Sequence, residues 1–193
     1  MKDVEVEIRI FLSDPCALLK WLENSAEFIG TSIQTDVYFE PECKPFIFVG
    51  EDGHKDADDW LRLRETEAGC EICFKRWHRE PETRKSLYAD EIETSVGNGE
   101  KMRELLMFLG FRKIAVVKKN RSSWRYGNFQ FDCDHVENLG FFVEVEFKGQ
   151  LEDPTKGRVL IEDFLRRIGV TELKIARRGY PWMMWNLESS HFE

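Results

Sequence analysis

Three predicted strands that each precede a predicted helix carry a pair of glutamates with one residue between the partners: Glu5/Glu7, Glu91/Glu93 and Glu144/Glu146. Successive strand side chains point to opposite faces, so each pair aims two carboxylates one way. The intervening residues, such as Val4, Val6, Ile8 and Ile10 around the first pair, aim the other way. Basic residues show the same alternation: Arg9 two places beyond Glu7, Arg62 and Arg64 within Leu61-Arg62-Leu63-Arg64, and Lys119 and Arg121, with Lys75 nearby in sequence to the second set. Clustered carboxylates suit hard divalent cations such as Mg²⁺ or Mn²⁺. Guanidinium and ammonium groups suit phosphate oxygens, arginine adding bidentate geometry. Together, with Asp134 close by, they suit phosphate chemistry, in which charge neutralisation and alignment supply most of the catalysis. Lys118 falls on the opposite face from Lys119 and reads as a surface residue.

Such a charged face is costly to bury unless it is self-neutralised, hydrated or occupied by ligand, and the elements must provide for that. Helices are predicted from Cys16 to Phe28 behind an Asp14-Pro15 start, from Glu100 to Leu109, and from Asp153-Pro154-Thr155 to Ile168. Each follows a strand with a glutamate pair and precedes another strand, near residues 34–39, 113–119 and 173–176, a degenerate threefold recurrence. Further strands fall at residues 60–64, 71–76 and 129–134, and the charged stretch 77–85 reads as a mobile surface loop. The pattern predicts an α+β fold dominated by one antiparallel sheet. Closing about eight such strands into a barrel turns the charged face into a lumen and leaves the apolar face for about three covering helices.

Composition narrows the function classes. The 193 residues suit a single domain spanning 1–193, with 42% hydrophobic and 33% charged residues. A net charge of −8 argues against a nonspecific nucleic-acid binder but leaves a local anion site open. No apolar run reaches the length of a membrane span and the N-terminus lacks a signal-peptide core, which makes the cytoplasm the expected location and a membrane partner unexpected. Cys70 and Cys73 form a C-x-x-C, but on a strand they point to opposite faces, so neither a redox nor a metal role is expected of the pair. The four histidines have no ligand spacing. No G-x-x-x-x-G-K-[ST] or G-x-G-x-x-G loop occurs, so bound phosphates must be held by side chains.

Six segments in register resemble one known family. Glu5-Val6-Glu7-Ile8-Arg9 is similar to the E-x-E-x-K signature of the CYTH superfamily, the triphosphate tunnel metalloenzymes. Gln34-Thr35-Asp36-Val37-Tyr38-Phe39 resembles its Q-x-D-x-Y-F strand, Leu61-Arg62-Leu63-Arg64 its L-R-[IL]-R strand, and Phe74-Lys75 the lysine that follows. Residues 116–121, V-V-K-K-N-R, resemble V-x-K-x-R, and residues 134–146 resemble D-x-V-E-x-L-G-x-F-x-E-[IV]-E. The resemblance implies an eight-stranded tunnel, two divalent-metal sites and a bound triphosphate. By position it makes Glu5, Glu7, Glu144 and Glu146 metal ligands, with Glu93 and Asp134 contributing, and Arg9, Arg62, Arg64, Lys75, Lys119 and Arg121 triphosphate ligands. Glu5, Glu7, Arg9 and Asp134 become the catalytic candidates.

Arg9 stands where the family usually has lysine. Tyr88-Ala89-Asp90 stands where a basic residue often precedes the central glutamate pair, a place Arg84 or Lys85 could fill. Gly179-Tyr180-Pro181-Trp182-Met183-Met184-Trp185 replaces the usual S-Y-x-D-L-L. Its aromatic residues read as a helix packing face, with a homodimer or partner surface as the alternative. The branch most resembled is the class IV adenylyl cyclases, which implies conversion of ATP to cyclic AMP and pyrophosphate with Mg²⁺ or Mn²⁺. A triphosphatase acting on tripolyphosphate, thiamine triphosphate or a nucleotide would need nearly the same residues. Arg9 slightly favours a third reading, a noncatalytic triphosphate sensor.

Overall fold

Alternation carries through almost every strand of the computed structural model, which describes residues 3–187, 191 and 192. The chain opens with β1 (Asp3–Glu5) and β2 (Glu7–Phe11), then α1 (Cys16–Ser25), β3 (Glu27–Pro41), the short strands β4 (Ile47–Val49) and β5 (Lys55–Ala57), β6 (Asp59–Thr66), β7 (Gly69–Arg79) and β8 (Ser86–Val96). It continues with α2 (Gly99–Phe108), β9 (Phe111–Tyr126), β10 (Phe129–Val136), β11 (Gly140–Phe147), α3 (Gly157–Arg167), β12 (Lys174–Ile175) and α4 (Tyr180–Trp185). In β2, β6 and β11 the apolar positions Ile8, Ile10, Leu63, Val143 and Val145 are buried, while their charged neighbours face inward to a cavity.

The fold is α+β, but the expected closed eight-stranded barrel gives way to an open, strongly curled antiparallel sheet of ten strands in the order β1-β8-β7-β6-β3-β9-β10-β11-β2-β12. Right-handed twist, accumulated over so many strands, brings the ends of the sheet round to the same stretch of chain. There β1 pairs with β8 and β2 with β11, with only Val6 between them. The ladder breaks at Val6, whose carbonyl accepts the Phe147 N–H. The second edge of β2 carries β12 at Ile10 and Phe11, and the pairing of β1 with β8 ends at Glu5. β4 and β5 form a separate two-stranded sheet.

Four helices cover the sheet rather than three. α1 and α3 bury Leu18, Leu22, Ile161, Phe164 and Leu165 against Val6, Ile8, Ile10, Val143 and Val145. α2 places Leu106 on Val37, Phe39 and Leu63. The fourth, α4, buries Tyr180, Trp182 and Met183 against Val117, Val136 and Phe142, and Trp185 stacks on Trp60. The aromatic segment is therefore a packing face turned inward, not an exposed partner surface. α1 ends three residues earlier than periodicity suggested, because Glu27 and Phe28 already belong to β3. The expected loop at 77–85 is shorter as well: Trp77, His78 and Arg79 continue β7 opposite β8. No helix among the described residues is long and apolar enough to cross a membrane.

Candidate functional site

The inward face of the curl encloses a cavity of about 280 Å³. Glu5, Glu7 and Arg9 reach it from β1 and β2, Arg62 and Arg64 from β6, and Lys75 from β7. Glu91 and Glu93 reach it from β8, Lys119 and Arg121 from β9, and Glu144 and Glu146 from β11. One wall is shared by strands far apart in sequence. Glu144 lies opposite Arg9 and Glu146 opposite Glu7 in the β11–β2 register, and Lys75 lies opposite Glu91 in the β7–β8 register.

The charges are sorted. Asp36 is 1% exposed and holds Arg64 through a two-pronged pair at 2.7 and 2.8 Å. Burial disfavours its charge, but Arg64 overrides that and lowers its pKa. Asp134 lies beneath the cavity wall with 0% exposure. Its oxygens accept from Lys119 Nζ at 2.9 Å, Arg121 Nε at 2.7 Å, Arg121 Nη2 at 2.6 Å and the Tyr180 hydroxyl at 2.8 Å. Fully buried and not lining the cavity, Asp134 stands behind the basic residues rather than among the cavity-facing carboxylates. Asp132 takes Arg121 Nη1 at 2.7 Å. Glu144 accepts from Arg9 Nε at 2.9 Å and pairs with Arg121. Burial opposes its ionisation, yet Arg9 and Arg121 hold its pKa well below the usual carboxylate range.

The remaining acids behave differently. Burial and then Glu5 push the Glu7 carboxyl up to about 6. Burial, with Glu5 beside it, pushes Glu146 up to about 8 despite the pair it makes with Lys148 at 2.6 Å. Glu5 and Glu93 are raised too, burial being the main cause in each. Lys75 pairs with Glu5 and lies 3.7 Å from Glu7 and 3.8 Å from Glu91, which leaves one ammonium among three carboxylates. Burial is the main reason these carboxyls are raised, with neighbouring carboxylates adding to it. The Cys73 Sγ and one oxygen each of Glu91 and Glu93 lie within 4.8 Å of one another, a spacing that fits a single metal ion. Oxygen donors predominate along the wall, which matches the hard-cation expectation; the thiol is the exception.

Among the cations, Lys119 is drawn down to about 8 by burial and by Arg121 beside it. Arg62 is held loosely, 3.5 Å from Glu71 and 3.7 Å from Glu93, and its buried Nε has no hydrogen-bond partner. Arg84 pairs with Asp58 at 2.8 Å, and neither it nor Lys85 lines the cavity, so the proposed substitute for a missing basic residue is not there.

Sequence reasoning gave no site role to Asp36, Asp132, Tyr38, Trp77 or Tyr180 and expected no metal role of Cys73, yet all six are at the cavity, Cys73 beside Glu91 and Glu93. The signal for most of them was alternation carried further: Asp36 and Tyr38 along one strand, Cys73, Lys75 and Trp77 along another, and Asp132 with Asp134. Tyr180 arrives on a helix, where alternation gives no signal, although it keeps the tyrosine of the S-Y-x-D-L-L segment that residues 179–185 otherwise replace.

The curled antiparallel sheet thus encloses a charged cavity in which a group of carboxylates faces a group of cations backed by the buried Asp36 and Asp134. The CYTH domain profile matches residues 3–180, and the chain belongs to that family. It is 28% identical over 181 residues to a Methanocaldococcus jannaschii protein provisionally named as an adenylate cyclase, covering 92% of this chain and 96% of that one. The PH1012 protein of Pyrococcus horikoshii has a similar solved structure, with a TM-score of 0.73 and 26% identity over 92% of this chain and 97% of the other. The fold is shared with a Hippeastrum protein, provisionally called an adenylyl cyclase and described as having a dominant triphosphatase activity. That likeness has a TM-score of 0.58 and 17% identity, over 93% and 91% of the two chains.

Proposed function

We propose that the cavity binds a small molecule carrying a triphosphate, together with Mg²⁺ or Mn²⁺, and cleaves it at phosphorus. The specific activity proposed is that of an adenylyl cyclase converting ATP to cyclic AMP and pyrophosphate. The observation that carries the reading is the division of the cavity. Glu5, Glu7 and Glu146, with carboxyl pKa values raised, line the same cavity as Arg9, Arg62, Arg64, Lys75, Lys119 and Arg121. The first group suits divalent cations, with Glu93 and Glu91 beside Cys73 contributing, and the second suits phosphate oxygens. A bound divalent ion supplies Lewis-acid stabilisation of phosphoryl charge and lowers the pKa of an oxygen nucleophile.

The chain's own part is to bind and align. Arg62 has donors to spare for an anion, and its guanidinium stays charged at any working pH. Arg64, Lys119 and Arg121 are held in place by Asp36, Asp134 and Asp132, so they are preorganised to stabilise the charge that develops on a departing pyrophosphate. Glu144 fixes the direction of Arg9 and Arg121.

Hydrolysis is the second reading, supported by the activity described for the Hippeastrum protein. In that case water attacks the terminal phosphorus and no ring closes. Incubation with ATP, tripolyphosphate and thiamine triphosphate, each with Mg²⁺ or Mn²⁺ and with products separated by chromatography, tests both. Cyclic AMP with pyrophosphate supports the cyclase, and orthophosphate supports the hydrolase. No turnover of any of the three, with no binding, would remove the triphosphate reading.

A further inference from the structure

Arg9, Lys119 and Arg121 stand on β2 and β9, yet one side chain from α4 engages the set. The Tyr180 ring centroid lies 4.2 Å from Arg9 Cζ and 5.2 Å from Lys119 Nζ. Its hydroxyl donates to Asp134 Oδ2, the same oxygen that accepts from Lys119 Nζ and Arg121 Nη2. Tyr180 is 2% exposed and lines the cavity. An aromatic face is electronegative and attracts a cation most strongly where water is excluded.

Arg9 uses the contact in a way a lysine cannot. Its planar guanidinium covers the ring while Nε and Nη2 hold Glu144 and Nη1 reaches the Arg178 carbonyl at 3.2 Å. An ammonium is a compact point donor and cannot span these partners and lie flat on a ring. Arg178 is itself tied to the buried Asp56 at 3.0 Å, and Asn186 at the end of α4 donates to the Lys55 carbonyl at 3.0 Å. The C-terminal segment is thereby anchored on both sides of Tyr180.

We infer that Tyr180 is a positioning residue for the anion site, its ring setting Arg9 and Lys119, and that the guanidinium at position 9 uses that ring while it also holds Glu144. The inference rests on the triphosphate reading and adds to it that docking of α4 completes the binding site. The phenol acts as a neutral donor: burial, with Asp134 and Glu144 nearby, raises its pKa well above the ordinary value.

The test measures tripolyphosphate binding by calorimetry, with melting temperature recorded for each variant. Tyr180→Met keeps bulk but removes the ring face, and the dissociation constant should rise roughly tenfold, the size expected for loss of a buried cation–π contact. Tyr180→Phe should stay within about threefold of wild type, the hydroxyl being one of several donors to Asp134. Pentafluorophenylalanine at position 180 has the shape of phenylalanine with its face potential reversed, and should bind as weakly as the Met variant. In an Arg9→Lys background, Tyr180→Met should cause a smaller loss than in the wild-type protein, because only the contact with Lys119 remains in full.

Equal binding with phenylalanine and pentafluorophenylalanine would overturn the inference, as would an undiminished Tyr180→Met effect in the Arg9→Lys background. Either would mean that the residue serves only to pack α4. If the Met variant does not fold, the two isosteric rings decide alone. Failure of the wild-type protein to bind tripolyphosphate would be a different result, removing the triphosphate reading and this inference with it.

Discussion

Arg62 differs from the other cavity cations in how little holds it. Arg64 is clamped by Asp36, Arg121 by Asp132 and Asp134, and Lys119 by Asp134, whereas among the described residues the Arg62 guanidinium reaches its carboxylates, Glu71 and Glu93, no closer than 3.5 and 3.7 Å. These environments separate binding from stability. Arg62→Ala should weaken tripolyphosphate binding by about 1.5–3 kcal/mol, the worth of charge-assisted hydrogen bonds, with little change in melting temperature. Arg64→Ala should weaken binding and also lower stability by about 3–5 kcal/mol, because it leaves Asp36 buried without its partner. Lys118→Ala should do neither, since Lys118 lies exposed on the outer face. Titration calorimetry and thermal melts on the three variants read both quantities. Equal binding losses at Lys118 and Arg62 would point to a general basic patch rather than an inward face.

The point where the first strand changes partners depends on the element packed over it. Gly157 opens α3 directly above Val6, and a methyl group there would sit 2.5 Å from Val6 Cγ1 and 2.8 Å from Leu151 Cδ1. Its backbone is ordinary helix, so the requirement is for space rather than conformational freedom. Gly157→Ala should destabilise the protein by about 1–3 kcal/mol through overpacking, although alanine is the better helix former. Denaturant melts measure this, and a stabilised Gly157→Ala protein would show that α3 can lift from β2 without cost. Since Glu5 and Glu7 flank Val6, the same strain should also weaken binding of Mg²⁺.

At the scale of the whole molecule, the surplus of buried carboxylates sets how stability depends on pH. Glu7 and Glu146 have folded-state values of about 6 and about 8, above the ordinary carboxylate value. Groups raised in this way add stability below their unfolded pKa and lose it as pH rises through the folded value. In chelator-treated buffer the melting temperature should therefore fall between about pH 5 and 8, as these two groups are forced to ionise. Lys119 acts in the opposite sense: its depressed value of about 8 means that its contribution is lost as pH falls from the unfolded lysine range toward 8, above the carboxylate window. Added Mg²⁺ or tripolyphosphate should raise the melting temperature, since a ligand at about a hundred times its dissociation constant stabilises by about 2.7 kcal/mol. A flat or rising pH dependence between 5 and 8 without metal would show that these carboxyls are hydrated rather than crowded.

The charged inward face was legible in the sequence because it is a local property. A period of two assigns Glu5, Glu7, Arg9, Arg62, Arg64, Glu91, Glu93, Lys119, Arg121, Glu144 and Glu146 to one face whatever the strand order, and the structure keeps all of them together. Helix positions were legible to within a few residues, from Gly stops and apolar periodicity. What pairs with what was not. That Asp134 backs Lys119 and Arg121 instead of facing the cavity, and that Arg64 belongs to Asp36, depends on registers between strands up to tens of residues apart. The failure of the sheet to close by hydrogen bonds was equally hidden, because it depends on where the β1–β8 pairing ends at Glu5 and the β2–β11 pairing begins at Glu7, registers between segments far apart in sequence. Tyr180 is the clearest case: nothing local links it to Arg9, and only the return of α4 onto β9 and β11 brings an aromatic face beneath a guanidinium from the other end of the chain.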